Sequence, residues 1–503
     1  MYKNKFLITV TVMSATIMQS LDTTIVNVAL PDMQGTFSAN PDEISWVLTS
    51  YLVASAIFMP LTGFLTDRLG RKRYLILSII GFTIASILCG AALNLAEIVL
   101  CRLLQGIFGA GLIPLSQAIM ADTYPPEQRG KAMAIWGMGV MIGPILGPTL
   151  GGYLTDYFNW RWNFYINVPV GILSTILAMY VIEETEMKPR TMDWLGLLLI
   201  SLGIGALQFT LDRGNQEDWL ESTMICWSTI LTFIGIIGFI IYSCYSTARP
   251  LFNLSIFKDR NFCVASLMMT FLGLGMFGAM VIQPIMLSSL FDYTALTIGL
   301  VMAPRGVASM FGMFIIGKTI HKFSTKYFIV AGLVFSILGN YGATYYNLNM
   351  DLYTIIWPII LQGLGIGLIF VPLSNLCLST LPKAYINEAA GLFSLMRTIG
   401  FSAGISVIIT YFTRQGQASW NQMGAFINVY NPNVNTYLHN LHLQATDPLA
   451  AQVLAIELAR QSQMQSVVDV FFLISLCFLL IIPMVFLLEK ERPNAEPSLA
   501  VEM

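Results

Sequence analysis

Asp22 is an acid with no charged neighbour in an apolar run from Leu7 to Leu30. An ionised carboxylate at the centre of a lipid bilayer costs about 3 kcal/mol on insertion scales, so such a residue implies a function, and taking up and releasing a proton is the chemistry a carboxylate offers there. Three cations share the setting: Arg102, Arg305 and Arg397 each lie inside an apolar segment. At a rise of about 1.5 Å per residue, Asp22 and Arg102 sit at similar depths in the first and fourth apolar runs. Gln105, in the same segment as Arg102, is grouped with Arg305 and Arg397 as a candidate for the substrate cavity. An arginine at that level favours the ionised acid, whereas hydrocarbon favours the neutral one, so binding of a cation or substrate could move the proton. A permanently charged structural pair is the alternative. Arg305 and Arg397 must face a cavity or a partner, and whether they bind substrate or brace helices stays open.

Other groups promise less. Asp469 and the Asp212–Arg213 pair fall near segment ends, where solvation suffices. His439 and His442 have HxxH spacing but no third ligand, and His321 stands apart, so no metal site is expected. No nucleophile, base and orienting group converge in any motif, which disfavours an enzyme, and no cofactor is implied.

The elements that must position these residues follow from composition. The 503 residues are 56% hydrophobic and only 11% charged, with mean hydropathy +0.70, which defines an all-α integral membrane protein. A net charge of -2 gives no electrostatic case for nucleic acid. The seven cysteines have no metal-binding spacing and are expected to serve as small packing residues. Lys3 and Lys5 precede an uninterrupted run with no small-residue cleavage site, so the first helix is expected to be retained.

Segments of spanning length recur fourteen times: Leu7–Leu30, Ile44–Gly63, Tyr74–Leu93, Glu97–Met120, Ala132–Leu154, Phe164–Ile182, Trp194–Leu211, Ser222–Tyr242, Phe262–Leu287, Thr297–Gly317, Tyr327–Tyr346, Leu352–Leu378, Ala389–Phe412 and Val467–Leu488. With both termini inside, nineteen of the 26 Lys and Arg fall in cytoplasmic segments, four outside and three within spans. Adding or dropping one span scrambles this asymmetry.

Two halves show through the spacing. Gly63–Arg73 (GFLTDRLGRKR) and Gly317–Tyr327 (GKTIHKFSTKY) are Gly-led basic loops, each after the second helix of a six-helix set. The expected domains are residues 1–185, two inserted helices over 186–260, and 261–503 with a long periplasmic loop, 413–466, that holds a helical stretch at Pro448–Gln465. That loop exceeds a simple connection, which favours a partner-facing role.

Two motifs have mechanical content. In Gly63–Arg73, Gly63 permits close helix approach, Asp67 can pair with a basic group or helix N-terminus, and Arg68, Gly70 and Arg71 belong to the basic turn. Gly139, Gly143, Gly147 and Gly151 form one stripe, with Gly152 beside it, while Pro144 and Pro148 free backbone carbonyls and bend the helix. A packing seam without directional role is the plainer reading of that stripe.

These motifs carry a resemblance. GFLTDRLGRKR resembles the loop signature of the major facilitator superfamily, and GVMIGPILGPTLGG (Gly139–Gly152) resembles its antiporter motif. Leu21–Pro31 (LDTTIVNVALP) and Arg102–Gly106 (RLLQG) resemble the first- and fourth-helix motifs of the drug:proton antiporters with fourteen spans. The segments Ile113–Gln117, Leu211–Gly214 and Phe257–Phe262 resemble those of the inner-membrane pumps of tripartite drug-efflux systems. The resemblance implies two six-helix bundles plus two inserted helices, and export of hydrophobic toxic compounds in exchange for protons. It assigns proton coupling to Asp22 and Arg102, and latching of the outward-facing state to the Gly63–Arg73 loop. It also implies a periplasmic adaptor and an outer-membrane channel as partners, and residence in the bacterial inner membrane. Export of an endogenous lipid, siderophore or metabolite, a passive channel, and a membrane scaffold are the rivals.

Overall fold

The computed structural model describes residues 4–125, 128–185, 187, 192–245, 253–320, 323–382, 385–428, 430–444 and 447–489. Among these, all regular structure is helical, and fourteen helices are long and apolar enough to cross a membrane. They are α1 (Lys5–Phe37), α2 (Glu43–Leu69), α3 (Arg71–Ala91), α4 (Leu95–Thr123), α5 (Arg129–Tyr157), α6 (Trp162–Val181) and α7 (Trp194–Arg213). The second seven are α8 (Thr223–Tyr245), α9 (Arg260–Phe291), α10 (Thr297–Thr319), α11 (Thr325–Ala343), α12 (Leu352–Ser379), α13 (Ile386–Gly424) and α14 (Leu449–Leu487).

Short polar breaks set the starts of these helices. Asn94 accepts from the Glu97 amide at 2.9 Å while Glu97 reaches back to the Leu93 amide at 2.8 Å, which satisfies donors the first turn of α4 leaves open. Asp193, Asp259 and Asp351 cap α7, α9 and α12 in the same way. Exposed apolar side chains such as Leu77, Ile84 and Leu88 on α3 and Phe233, Ile237 and Ile241 on α8 form a belt suited to lipid.

Packing repeats between the halves. α1 pairs with α5 and α6, α4 with α2 and α3, and α3 with α6; likewise α9 pairs with α13 and α14, α12 with α10 and α11, and α11 with α14. The halves meet where α5 runs along α10 and where α13 crosses α2 and α4. α7 and α8 pair with each other, and α7 also bridges the halves: Gln208 Nε2 donates to Ser402 Oγ on α13, and the ring of the adjacent Phe209 lies tilted against Trp46 on α2, 5.6 Å between centroids.

Three expectations need correction. Gly63–Arg73 is no loop: Thr62–Leu69 is helical, Gly70 alone turns the chain with φ +81°, and Arg71 opens the next helix. Residues 413–466 are more helical than expected, because α13 continues to Gly424 and Pro432–Asn440 adds a short helix; the expected helix from Pro448 is present and runs unbroken into the last span. The Asn, Gln and Ala of this stretch are compatible with helix, so low hydropathy marked departure from lipid rather than loss of helix. Arg213 is buried, with its guanidinium 4.6 Å over the Trp46 ring, and Asp212 accepts from the Thr49 hydroxyl; neither is simply solvated. Of the cysteines, Cys89 and Cys377 are buried as expected for packing residues, whereas Cys244 and Cys263 are exposed. His321 and the basic residues Lys3, Lys188, Arg190, Arg249, Lys322, Lys383, Lys490 and Arg492 lie outside the described residues.

Candidate functional site

Asp22 and Arg102 meet in the interior of the first half. Arg102 Nη1 donates to Asp22 Oδ2 at 2.6 Å, and both side chains are 0% exposed, so neither touches lipid or bulk water in this conformation. Gln105 Nε2 donates to the other oxygen, Oδ1, at 2.8 Å, and Asn167 Nδ2 on α6 reaches the same atom at 3.1 Å. Arg102 is oriented by donation from Nη1 to Gln105 Oε1 at 2.7 Å and from Nε to the Val47 carbonyl at 3.1 Å. Its guanidinium lies 4.3 Å over the ring of Tyr51 on α2. Ser86 on α3 accepts from Gln105 and Asn167 and donates to the Phe164 carbonyl at 2.9 Å. One carboxylate thereby ties α1, α4 and α6 together, and its partners reach α2 and α3.

The glycine stripe of α5 faces α1 on either side of Asp22. A side chain at Gly143 would strike the Ser20 backbone, one at Gly147 the Thr24 side chain, and one at Gly151 the Ile25 carbonyl, 2.7 Å from the Cβ position. At Gly139 it would meet Met13, while Gly152 is buried. Pro144 lacks the N–H that would bond the Val140 carbonyl four residues earlier, and Ser20 Oγ donates to that carbonyl instead. Thr24 Oγ1 donates to the Gly143 carbonyl at 3.0 Å. The other side of α5 packs on the second half, where Trp136 stacks on Phe370 at 5.7 Å and Gly306 of α10 lies against Ile145.

The end that carries Arg71, Lys72 and Arg73, the basic end, is closed by contacts between halves. Arg71 Nη2 donates to Asp122 Oδ2 on α4 at 2.7 Å and to Asn387 Oδ1 on α13 at 3.0 Å. A Cβ at Gly63 would lie 2.9 Å from Cα of Glu388, and one at Gly391 would lie 2.9 Å from the Met59 carbonyl. Asp67 is half-buried and Arg68 is exposed.

Arg305 and Arg397 are buried in the second half, 6% and 3% exposed. Arg305 Nη2 donates to Gln283 Oε1 on α9 and Gln362 Oε1 on α12, and Gln362 Nε2 donates to Asn340 Oδ1 on α11 at 3.2 Å. Arg397 lies 5.9 Å from the Phe401 ring. The structure thus joins Asp22, Arg102 and Gln105 in one cluster and keeps Arg305 and Arg397 apart from it. Sequence reasoning missed Ser86, Asn167, Gln283, Asn340 and Gln362. Their signal was present, since each is a hydrogen-bonding side chain inside an apolar span, where an unsatisfied polar group is costly.

Among the described residues, fourteen apolar helices, twelve of them in two six-helix sets of like packing and one set built around a buried charge pair, define a multi-pass membrane transporter. The chain belongs to the Major Facilitator Superfamily, whose profile matches residues 12–405. It is 34% identical over 484 residues to the Multidrug export protein EmrB of Escherichia coli (strain K12), covering 95% of this chain and 94% of that one. To the Fatty acid resistance protein FarB of Neisseria gonorrhoeae it is 33% identical over 477 residues, 94% of each chain. Among solved structures it is similar to the human organic anion transporter MFSD10, with TM-score 0.61, 14% identity and coverage of 94% of this chain and 99% of that one. The proton:xylose symporter XylE gives TM-score 0.59, 13% identity and 94% coverage of each. At these identities the two structures share the fold alone.

Proposed function

We propose that this protein is a proton-coupled antiporter that exports hydrophobic toxic compounds by alternating access. The observation that carries this reading is the wholly buried Asp22–Arg102 pair. Protonation of Asp22 removes one charge and leaves Arg102 an uncompensated cation away from water, a change worth about 3–5 kcal/mol against this conformation. Shifting a two-state population from 1:99 to 99:1 takes about 5.5 kcal/mol, so one proton supplies most of what a switch needs. α1 is fastened to α5 by Ser20 and Thr24, and α5 lies along α10, so loosening the pair has a contiguous route to the interface between halves.

In this reading residues 1–185 and 261–503 form the rocking units, with 186–260 inserted between them. The basic end faces the cytoplasm of a bacterial inner membrane, with both termini on that side, and its Arg71–Asp122–Asn387 contact latches the outward-facing state. The extensions of α13 and α14 then project into the periplasm, enclosing a cleft of about 450 Å³ between Trp420 and Gln463, where an EmrA-type adaptor leading to a TolC-type channel would dock. Multidrug export by EmrB and fatty acid resistance through FarB support hydrophobic substrates.

The test is proton flux in vesicles with an imposed pH gradient. Asp22→Asn is expected to abolish substrate-induced proton movement; full proton-coupled export by this variant would remove the assigned role. Copurification of the native chain, compared with a chain lacking residues 426–447, tests the adaptor.

A further inference from the structure

Arg305 presents the reverse of the Asp22 site: a buried cation with no acid. Its Nε and Nη1 have no acceptor although both are enclosed, and no carboxylate lies within ion-pair distance of it among the described residues. Taking a guanidinium out of water without a counter-charge is costly, and the two glutamine carbonyl oxygens on Nη2 offset only part of that cost.

The internal repeat sharpens the contrast. The spacing that separates Gly63 from Gly317 also separates Tyr51 from Arg305 and Ser86 from Asn340, and the triplet Leu104-Gln105-Gly106 recurs as Leu361-Gln362-Gly363. Gln105 and Ser86 serve the Asp22 carboxylate in the first half, whereas Gln362 and Asn340 are linked to each other beside a lone arginine in the second. The second half has kept the polar seat and placed a cation in it without supplying the anion.

We propose that Arg305, with Gln283, Gln362 and Asn340, binds the anionic headgroup of an amphiphilic substrate, a carboxylate on a long apolar tail. Nε and Nη1 lie on different edges of the guanidinium plane, and each leaves a donor open for a charge-assisted bond to an anionic oxygen. One turn from the polar residues the helices are apolar and buried, at Val301 on α10, Leu287 on α9, and Ile359 and Ile366 on α12. One charge within apolar walls suits a single anionic head with a hydrocarbon chain rather than a hydrated inorganic ion. Arg305 also adjoins Gly306, which packs on Ile145 of α5, so a ligand here sits next to the helix that is stitched to α1. The inference rests on the export reading only in calling the ligand a substrate.

The test is equilibrium binding of radiolabelled laurate to the purified full-length protein in nanodiscs of zwitterionic lipid, with no gradient applied. Saturable binding is expected, with methyl laurate and dodecyltrimethylammonium competing at least about tenfold more weakly because each lacks the charge-assisted bond. R305Q is expected to lose about tenfold or more in laurate affinity, and R305K less, while chloride at about 0.15 M leaves laurate bound. Wild-type protein that binds methyl laurate as tightly as laurate overturns the proposal without any variant. Unchanged laurate affinity in R305Q, or displacement by chloride, overturns it equally. Since no proton gradient enters, D22N can fail in vesicles while this binding persists, so the two readings fail separately.

Discussion

The Ser20 hydroxyl on α1 donates to the Val140 carbonyl on α5, the acceptor that Pro144 leaves without its helical partner. Hydrogen bonds between membrane helices average about 0.6 kcal/mol and reach about 1.7. Ser20→Ala is therefore expected to cost about 1 kcal/mol and to lower the apparent Tm of the purified protein by about 1 °C. Gly143→Leu is expected to do far more, because its side chain would enter the Ser20 backbone, which cannot rotate away as a side chain can. Thermal melts and export assays check both; a wild-type melt for Gly143→Leu would show that the seam is loose.

The charge pair predicts a specific non-additivity. Asp22→Asn strands Arg102 in the interior, at about 3–5 kcal/mol, whereas removing both charges avoids the uncompensated cation. The double variant D22N/R102Q is expected to recover most of the melting temperature that D22N loses, yet to remain without proton-driven export. Melts read the first effect and vesicle flux the second. Proton-dependent export at the wild-type rate in the double variant would reduce the pair to a structural tie.

Closure of the basic end predicts altered access. Ser374 on α12 is fully buried beside Arg129 and Met133, in a crevice shielded by the contacts between halves. In a background without the native cysteines, Ser374→Cys is expected to react slowly with a polar thiol reagent applied from the basic end. Adding Arg71→Ala removes the donor to Asp122 and Asn387 and should raise the labelling rate about fivefold or more, the population change that about 1 kcal/mol brings. An unchanged rate would show that the latch does not hold this end shut.

The fourteen spans were legible because a helix must be apolar for about 20 residues to cross a bilayer, a local property of composition. The same rule made Asp22, Arg102, Arg305 and Arg397 conspicuous, since each breaks it. The Gly143–Gly151 stripe was equally plain as a seam, because every fourth residue of a helix shares a face.

What faces that seam, and what meets each buried charge, depended on tertiary structure. Hydropathy places a residue at a depth but assigns no direction around the helix and no partner. Asn167 and Ser86 therefore joined the Asp22 cluster only when α6 and α3 were packed beside α1, and Gln283 and Gln362 met Arg305 only when α9 and α12 flanked α10. The helical continuation of α13 to Gly424 was hidden for a related reason, whereas the helix leading into α14 from Pro448 was legible. Once hydrocarbon no longer demands intrachain hydrogen bonding, polar sequence can be loop or helix, and packing of one helix against its neighbour makes the choice.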